Sequence, residues 1–212
     1  MSDKILTAED VDYLEEMMNI GAGNAASALE QILKVKSDMH MPEIHVVPPQ
    51  KTFSVIGDPL EPVACVKMNM VGDIQGDLFF IISQEMKTLF SESAVYASHI
   101  KRKNGEPSDT SVIVEVANIL AGVYLTAIHD FCKLNIYHTT PFIAYDMVQA
   151  ILDESIARRG VNAKAIIVVA NRFSTNMAEN QLVRTFLIFI PSADSEKVLL
   201  DSIRGARQLC GR

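Results

Sequence analysis

The chain has 212 residues, of which 49% are hydrophobic, and it carries a formal net charge of −7 with an isoelectric point near 5.2. This length and apolar content suffice for a compact globular protein with a large core, and the acidic balance argues against a nucleic-acid ligand, whose phosphates require a basic surface. No apolar run approaches the roughly 20 residues of a membrane span, and the N-terminal MSDKILTAED has no apolar stretch of signal-peptide type, so the sequence predicts a cytoplasmic protein.

The first predicted element is a long amphipathic helix from about residue 8 to residue 34, with Thr7 as its N-cap. Asp12, Glu16 and Asn19 fall on one side of this helix, because side chains advance by about 100° per residue. With Pro42 they form the pattern D-x3-E-x2-N-x22-P. The opposite side carries the i, i+3, i+4 rhythm of a core-facing stripe, made of Val11, Leu14, Met18, Gly21, Ala25, Ala28 and Ile32.

Short strands are predicted after Pro42, at EIHVVP, TFSVIG and VACVKMNMV, paired antiparallel through short turns. The segment DLFFIIS is apolar on both faces, which predicts a strand in the centre of the sheet. A helix from about residue 84 to residue 100 follows. The charged run at residues 101–107 contains Gly105 and Pro107 and is predicted to be an exposed junction between two halves.

The same four-residue pattern returns 99 residues later as Ser111, Glu115, Asn118 and Pro141, with every gap conserved. Across residues 12–34 and 111–133, seven of 23 positions are identical without a gap, where about one or two are expected by chance. This is an internal duplication. The second helix, from Ser108 or Asp109 to about Leu134, repeats the core-facing stripe with Ile113, Val116, Leu120, Tyr124, Ala127 and Phe131.

The remaining elements complete the predicted fold. PFIAYD is a predicted strand, MVQAILDESIARRG is a short helix without a counterpart in the first half, AKAIIVVANRF and LVRTFLIFIP are strands, and residues 194–207 form a last helix. The sequence therefore predicts a single α+β domain over residues 1–212. Its two pseudo-twofold-related repeats, at about 8–100 and 108–207, each combine a long helix with antiparallel strands, and the two long helices pack at the centre.

A lone Glu-x-x-Asn on an amphipathic helix is usually a solvated face, but duplication of the whole pattern favours a functional reading. Gly23 and Gly122 follow the two asparagines on the same stripe, although Gly costs roughly 1 kcal/mol relative to Ala inside a helix. Each glycine therefore predicts either a flat gap that lets a partner approach or a close contact between helices.

Other chemistries find little support in the sequence. Nucleophile, P-loop and dinucleotide motifs are absent, and His40 and His45 lack metal-ligand spacing. His129 lies on the polar stripe of the second helix, but Glu30 stands at the matching place in the first. The cysteines are isolated, and Cys65 and Cys132 are predicted to be buried thiols. What is repeated is a carboxylate, which can pair with an ammonium group, and a carboxamide, which can orient a water molecule for attack on a phosphoryl group.

The pattern D/S-x3-E-x2-N-x22-P occurs twice, and the first copy continues from its asparagine as NIGAGNAASAL. In these features the sequence resembles the CheC-type phosphatases of bacterial and archaeal chemotaxis over essentially the whole chain. The resemblance implies hydrolysis of the aspartyl phosphate on the response regulator CheY. It assigns to each asparagine the orientation of the attacking water, to each glutamate a pairing with a regulator lysine, and Mg²⁺ to the regulator, so that this chain binds no cofactor. The residues to which these roles fall are Glu16, Asn19, Glu115 and Asn118, supported by Asp12, Pro42, Ser111 and Pro141.

The resemblance also implies binding of CheD, a chemoreceptor glutamine deamidase, through the helix that is predicted to start at Asp146 and Met147. The same segment suits a core helix equally well. A non-catalytic adaptor that binds phosphorylated CheY or CheD is the alternative function, and the intact Glu and Asn in both copies favour the phosphatase.

Overall fold

The computed structural model describes residues 6–33, 37–83, 109–159, 164–175 and 183–210. The helices are α1 (Ala8–Leu33), α2 (Thr52–Ile56), α3 (Asp109–Cys132), α4 (Val148–Arg159) and α5 (Ala193–Cys210). The strands are β1 (Ser37–Met39), β2 (Glu43–Val47), β3 (Pro62–Gly72), β4 (Gly76–Ile82), β5 (Ile136–His138), β6 (Phe142–Met147), β7 (Ile166–Thr175) and β8 (Val183–Pro191). The predicted helix at 84–100 and the predicted junction at 101–107 lie outside the described residues.

All eight strands join one antiparallel sheet in the order β1, β7, β8, β4, β3, β5, with β2 also paired to β7 and β6 also paired to β3. The centre of the sheet is the pair of β4 and β8, in which Phe80 lies opposite Leu187. The predicted α+β class and the central place of the DLFFIIS strand are therefore confirmed.

Helices cover both faces of this sheet, and alternation along β4 divides its side chains between two cores. Leu78 and Phe80 face the larger core, which α1, α3 and α5 cover. Phe79 and Ile81 face the smaller core, which also contains Ile56 of α2 and residues of α4. A strand buried on both faces must be apolar throughout, which explains the continuous run Leu-Phe-Phe-Ile-Ile.

Constant offsets relate the two halves of the sheet. α1 ends at residue 33 and α3 at residue 132, β1 covers 37–39 and β5 covers 136–138, and β2 begins at 43 and β6 at 142, so all three pairs differ by 99. The connecting backbone bonds repeat as well: the amide of His40 donates to the carbonyl of Arg172 (3.0 Å), and the amide of Thr139 donates to the carbonyl of Asn69 (2.9 Å). These registers are those that a pseudo-twofold axis between β4 and β8 requires.

The strand pairing differs from the prediction in one respect, because the halves exchange edge strands. β2 does not pair with its chain neighbour β3 but with β7 in the second half, and β6 of the second half pairs with β3 in the first. The segment TFSVIG, predicted as a strand, forms α2 and therefore interrupts any hairpin between β2 and β3. It follows a 3-10 turn at Pro49–Lys51 with proline at its start, a position that favours helix entry.

The helix predicted to be an addition to the second half also has a counterpart. α4 begins at Val148, and the 3-10 turn that leads into α2 begins 99 residues earlier, at Pro49. The two elements lie at matching places and differ in length. The prediction of an unmatched helix was therefore wrong, because α2 was read as a strand.

One described helix is apolar and long enough to span a membrane when judged by length and composition alone, namely Ile113–Cys132 within α3. The expectation that no segment approaches that length overlooked it. Half of this segment is buried inside the fold, as is usual for the core helix of a globular protein.

Candidate functional site

The two helices that carry the repeated pattern, α1 and α3, pack directly against each other and run antiparallel. Tyr13 near the start of α1 makes an edge-on ring contact with Phe131 near the end of α3, with 6.2 Å between ring centroids. At the middle of the pair, a Cβ added to Gly21 would lie 3.2 Å from Cδ1 of Tyr124 and 3.4 Å from Cβ of Ala127. Glycine at position 21 therefore permits the close approach of the helices.

The core-facing stripes meet at this contact as predicted. Leu14, Met18, Ala25, Ile113, Val116, Leu120, Tyr124 and Ala127 are buried, and Val11, Ala28 and Phe131 are partly buried. The polar residues of the pattern are consequently directed away from the core. Glu16 and Glu115 are exposed, as are Asp12 and Ser111, while Asn19 and Asn118 are partly exposed.

The antiparallel packing separates the two Glu-Asn pairs. Two contacts fix how the helices are aligned: Tyr13 lies against Phe131, and Gly21 lies against Tyr124. Between these contacts, Glu16 of α1 lies at about the same height along the helix pair as residue 129 of α3. Glu115 lies 14 residues before that level, which is roughly 20 Å along the helix axis at 1.5 Å per residue. The arrangement offers two distinct sites rather than one composite site.

Asn19 has an unusual carboxamide. Its Oδ1 atom is covered and accepts no hydrogen bond from any residue that the structure describes. Buried polar atoms in folded proteins are nearly always paired, because an unpaired one loses its hydration without gaining a hydrogen bond. Since Oδ1 is covered, the amide end with Nδ2 is the part of this partly exposed side chain that can face solvent.

The two glycines of the pattern resolve the alternative that the sequence left open. Within the described chain, no atom lies within 4 Å of a Cβ placed on Gly23, and a Cβ on Gly122 would meet only Nε2 of His138, at 3.9 Å. Neither glycine is therefore needed for contact between α1 and α3, which is the role of Gly21. Both leave a flat surface one helical turn beyond an asparagine.

The prolines of the pattern stand where the chain returns from the helix to the sheet. Pro42 is buried just before β2, and Pro141 is partly buried just before β6. A proline cannot donate a backbone hydrogen bond, and each lies between a short edge strand and the next strand, where no ladder bond is lost.

The N-terminus of α1 is held by a capping box and by α5. The amide of Asp10 donates to Oγ1 of Thr7 (3.2 Å), and the amide of Thr7 donates to Oδ2 of Asp10 (3.1 Å). Asp10 is buried and also pairs with Arg207 (3.2 Å) and Arg204 (3.6 Å) of α5. Burial alone would raise the pKa of Asp10, but the Thr7 hydrogen bonds and the two guanidinium charges outweigh it, so the net pKa is lowered.

A buried hydrogen bond ties α3 to the sheet. The hydroxyl of Tyr124 donates to Oδ1 of Asn171 on β7, and both residues are fully buried. Burial raises the pKa of Tyr124 well above its ordinary value, so the hydroxyl keeps its proton as the donor.

At the C-terminal end of α3, Lys133 adopts the left-handed backbone conformation (φ 56°), and its amide donates to the carbonyl of His129 (2.8 Å).

A cavity of about 310 Å³ begins at Gly122, one helical turn beyond Asn118, and sequence reasoning did not predict it. It lies between the last turns of α3 and strand β5, and its lining consists of Gly122, Leu125, Thr126, His129, Ile136, Tyr137 and His138. Gly122 and His129 were noted on the polar stripe of α3, but His138 was not. Nothing in its local sequence shows that β5 returns alongside α3.

The proposed CheD-binding segment also needs a correction. Asp146 and Met147 are the last residues of β6, and the helix α4 begins only at Val148. The reason is that β6 continues its pairing with β3 up to Met147, which lies opposite Pro62. Asp146 and Met147 are exposed, whereas Val148 and Leu152 bury α4 against the sheet.

Metal-binding chemistry is not evident in the described part of the chain, where no group of three or more His, Cys, Asp or Glu side chains is arranged to hold a metal ion. His45 lies 3.7 Å from Glu43 on β2, and His40 is exposed. Cys65 and Cys132 are free and buried as predicted, and burial raises the pKa of Cys132 to about 11.

Sequence comparison with known families matches the same two segments that carry the Glu-Asn pairs. The model of the CheC-like family matches residues 12–46 and 109–145, the two segments that run from each long helix into the following strands. The "CheY-P phosphatase CheC" of Bacillus subtilis (strain 168) is 32% identical over 190 residues, which is 88% of this chain and 90% of that protein. The chain belongs to the CheC-like family.

Comparison with solved structures supports the same fold at lower sequence identity. Thermotoga maritima FliY superimposes with a TM-score of 0.67 at 16% identity, covering 95% of this chain and 98% of that one. The FliM middle domain from H. pylori superimposes with a TM-score of 0.63 at 8% identity, covering 93% and 99%. At these identities the likeness concerns the fold.

Because the folded-state pKa of Asp10 is lowered, its carboxylate stabilises the fold above its ordinary pKa of 3.8, and this contribution is lost as the pH falls below that value. We expect Asp10→Asn to reduce the free energy of unfolding by about 1–3 kcal/mol at pH 7. Asparagine can still accept the hydrogen bond from the Thr7 amide, but it cannot form an ion pair with Arg204 and Arg207. Chemical denaturation between pH 7 and pH 3 measures the effect.

The difference between wild type and Asp10→Asn should shrink as the pH falls below about 4. Asp12→Asn, which changes an exposed acid on the same helix, is the matched control and should have little effect. If Asp10→Asn lowered the free energy of unfolding equally at pH 3 and pH 7, the stabilisation could not come from ion pairing of Asp10 with Arg204 and Arg207.

Proposed function

We propose that this protein is a phosphatase that hydrolyses the aspartyl phosphate of a CheY-type response regulator in the cytoplasm. The observation that carries the proposal is the outward placement of Glu16 and Asn19, and of Glu115 and Asn118, in the two segments that the CheC-like family model matches. The name of the Bacillus subtilis relative, a CheY-P phosphatase, supports the choice of reaction and substrate.

The proposed chemistry divides the work between the two proteins. The regulator supplies the phosphoryl group, the Mg²⁺ that neutralises its charge, and a lysine that pairs with Glu16 or Glu115. This chain supplies a carboxamide, Asn19 or Asn118, that holds a water molecule in line with the phosphorus atom. Phosphoryl transfer depends mainly on positioning and electrostatic stabilisation, so a chain without its own nucleophile or metal can accelerate it.

The geometry of the helices suits this division. Each asparagine lies three residues beyond its glutamate on the same face of a helix, which is about 4.5 Å along the axis. A glutamate at the rim can therefore hold the regulator while the asparagine reaches the phosphoryl group. The flat surfaces at Gly23 and Gly122 leave room for the regulator to approach each asparagine closely.

Removal of both carboxamides tests the proposed catalysis. We expect Asn19→Ala/Asn118→Ala to abolish nearly all acceleration of phosphate release from the phosphorylated regulator, because losing one hydrogen bond to the reacting centre costs on the order of 2–4 kcal/mol of transition-state stabilisation. The fold should be retained, since partly exposed asparagines support little stability. Phosphate release and thermal unfolding are the two measurements.

The matched control is Asn24→Ala, which removes an exposed asparagine from α1 away from the Glu-Asn stripe and should keep the wild-type rate. Each single variant, Asn19→Ala or Asn118→Ala, should leave the other site working. A double variant that releases phosphate at the wild-type rate would rule out both the mechanism and these residues.

Charge reversal tests the glutamates separately. We expect Glu16→Lys and Glu115→Lys to weaken regulator binding at the altered site more than the corresponding Gln variants, because lysine adds repulsion toward the regulator's cation. Added salt should reduce the difference, since it screens exposed charges. Binding is measured by titration at two ionic strengths.

Asp153→Lys is the control, because it reverses an exposed charge on α4, across the sheet from α1 and α3. Equal effects of the Lys and Gln substitutions at every ionic strength would exclude an electrostatic role for Glu16 and Glu115.

The adaptor function remains the second proposal, and binding of CheD belongs with it. The exposure of Asp146 and Met147 at the end of β6 is the observation that favours a protein contact at that point. Such a contact would use the end of an edge strand and the first turn of α4, and it is compatible with phosphatase activity elsewhere on the molecule.

A further inference from the structure

The cavity that begins at Gly122 holds a histidine, His138, with one ring nitrogen facing the surface at that glycine. Nε2 of His138 would lie 3.9 Å from a Cβ placed on Gly122, so the imidazole borders that surface. Nδ1 of the same ring lies 3.1 Å from the carbonyl oxygen of Thr139. Because a carbonyl can only accept, Nδ1 carries the hydrogen and Nε2 of the neutral ring carries a lone pair.

His138 borders α3 at Gly122, one helical turn beyond the proposed water-orienting residue Asn118. Gly122 follows Asn118 by one helical turn, and side-chain positions four residues apart on a helix are separated by about 6 Å. The Nε2 atom of His138 therefore lies within about 10 Å of the Cβ atom of Asn118. At such a separation, one or two bridging water molecules can link a water that Asn118 orients to Nε2.

The residue that corresponds to His138 at the first site cannot take this role. The residue 99 positions before His138 is Met39, whose thioether cannot take up a proton. Among the described residues, none has an atom within 4 Å of a Cβ placed on Gly23, the glycine that corresponds to Gly122. The two sites therefore share the Glu-Asn pair and differ in the histidine.

We infer that His138 accepts the proton that the attacking water loses at the second site, an inference that rests on the proposed phosphatase function. The water oxygen bonds to phosphorus as the bond from phosphorus to the regulator's aspartate oxygen breaks, and the aspartate leaves with the electron pair as a carboxylate that needs no proton. The water proton passes to Nε2 of His138. The imidazolium keeps its Nδ1–H bond to Thr139 and later releases the proton to solvent through the open cavity.

Few other titratable groups lie around His138. Tyr137 and His129 line the same cavity, and Glu115 stands on the same stripe of α3. His129 lies about 10 Å along the helix from Gly122, and its Nδ1 lies 2.9 Å from the carbonyl of Leu134, so it is at the other end of the cavity. On β3, the residue opposite His138 is the buried, uncharged Met70.

The difference between the two sites provides the test. Asn19→Ala leaves only the second site and Asn118→Ala leaves only the first, so the ratio of their rates on one phosphorylated regulator cancels the regulator's own pH dependence. Imidazole is the side chain that ordinarily changes charge between about pH 5 and pH 8. Because only a neutral imidazole can accept a proton, we expect the second-site rate to fall relative to the first-site rate as the pH is lowered from 8 to 5.5.

His138→Gln and His138→Met, each placed in the Asn19→Ala background, should lower the second-site rate at pH 8 by on the order of a hundredfold, the size of a typical general-base contribution, and should remove its extra pH dependence. Regulator binding should be unchanged. His45→Gln is the control, because His45 lies on β2 between Ile44 and Val46, two residues that face the core under α1 and α3, and so points to the other side of the sheet.

A rate ratio that stays constant with pH, or a His138→Gln variant that keeps the rate and pH profile of its parent, would overturn the inference and leave the proposed function standing. If neither single-site variant accelerates phosphate release at any pH, the proposed function fails, and the role of His138 fails with it.

Discussion

The contact between α1 and α3 determines how this protein presents its polar residues. Gly21 lets the helices approach until Tyr124 and Ala127 fill the space that a side chain would otherwise occupy. Each helix has one apolar stripe, and the close contact buries both stripes against each other, the sheet and α5. The opposite stripes, with Glu16 and Glu115, are left in solvent because ionised carboxylates without a partner cannot be buried cheaply. The outward placement of both Glu-Asn pairs thus depends on the packing of two helices.

The exchange of edge strands makes the two halves interdependent. β1 and β2 follow α1 in the chain but pair with β7, and β5 and β6 follow α3 but pair with β3. Each long helix is therefore tied, through the strands that follow it, to the hairpin of the other half. One consequence is that both Glu-Asn pairs are held by a single continuous core, so neither helix can shift without disturbing the sheet beneath the other.

The two sites are equivalent in the Glu-Asn pair and unequal around it. Identical residues on matching turns of α1 and α3 reflect the duplication, whereas the cavity with His138 and Tyr137 belongs to α3 and β5. The contacts between each helix and the sheet differ too. Tyr124 of α3 donates a hydrogen bond to Asn171, whereas the corresponding residue of α1 is Ala25, whose side chain cannot form one. A duplicated domain can in this way keep one geometry for the Glu-Asn pair and vary its neighbours.

Much of this arrangement could be predicted because it depends on local periodicity. α1 and α3 are long and regularly amphipathic, so their extent and buried faces were predicted within a few residues, and the apolar run of β4 identified a central strand. α2 was missed because its five residues, Thr52–Ile56, are too few to distinguish helical from strand periodicity.

Long-range pairing was beyond the reach of such reasoning. The residues that pair with β2 lie 119 to 127 positions further along the chain, and no local property of Glu43–Val47 selects β7 over β3. The cavity was missed for the same reason, because His138 approaches Gly122 only when β5 returns along α3. Residues that were found by spacing share a helix, and those that were missed come together through the fold.

The central claim is that this protein turns over phosphorylated regulator and does not merely bind it. The most direct measurement adds a small, substoichiometric amount of the protein to phosphorylated CheY with Mg²⁺ and follows phosphate release over time. The account predicts release of many equivalents of phosphate per protein, faster than the regulator loses phosphate alone. Release that stops at two equivalents or fewer, or that is no faster than the regulator's own rate, would contradict it and leave the adaptor function.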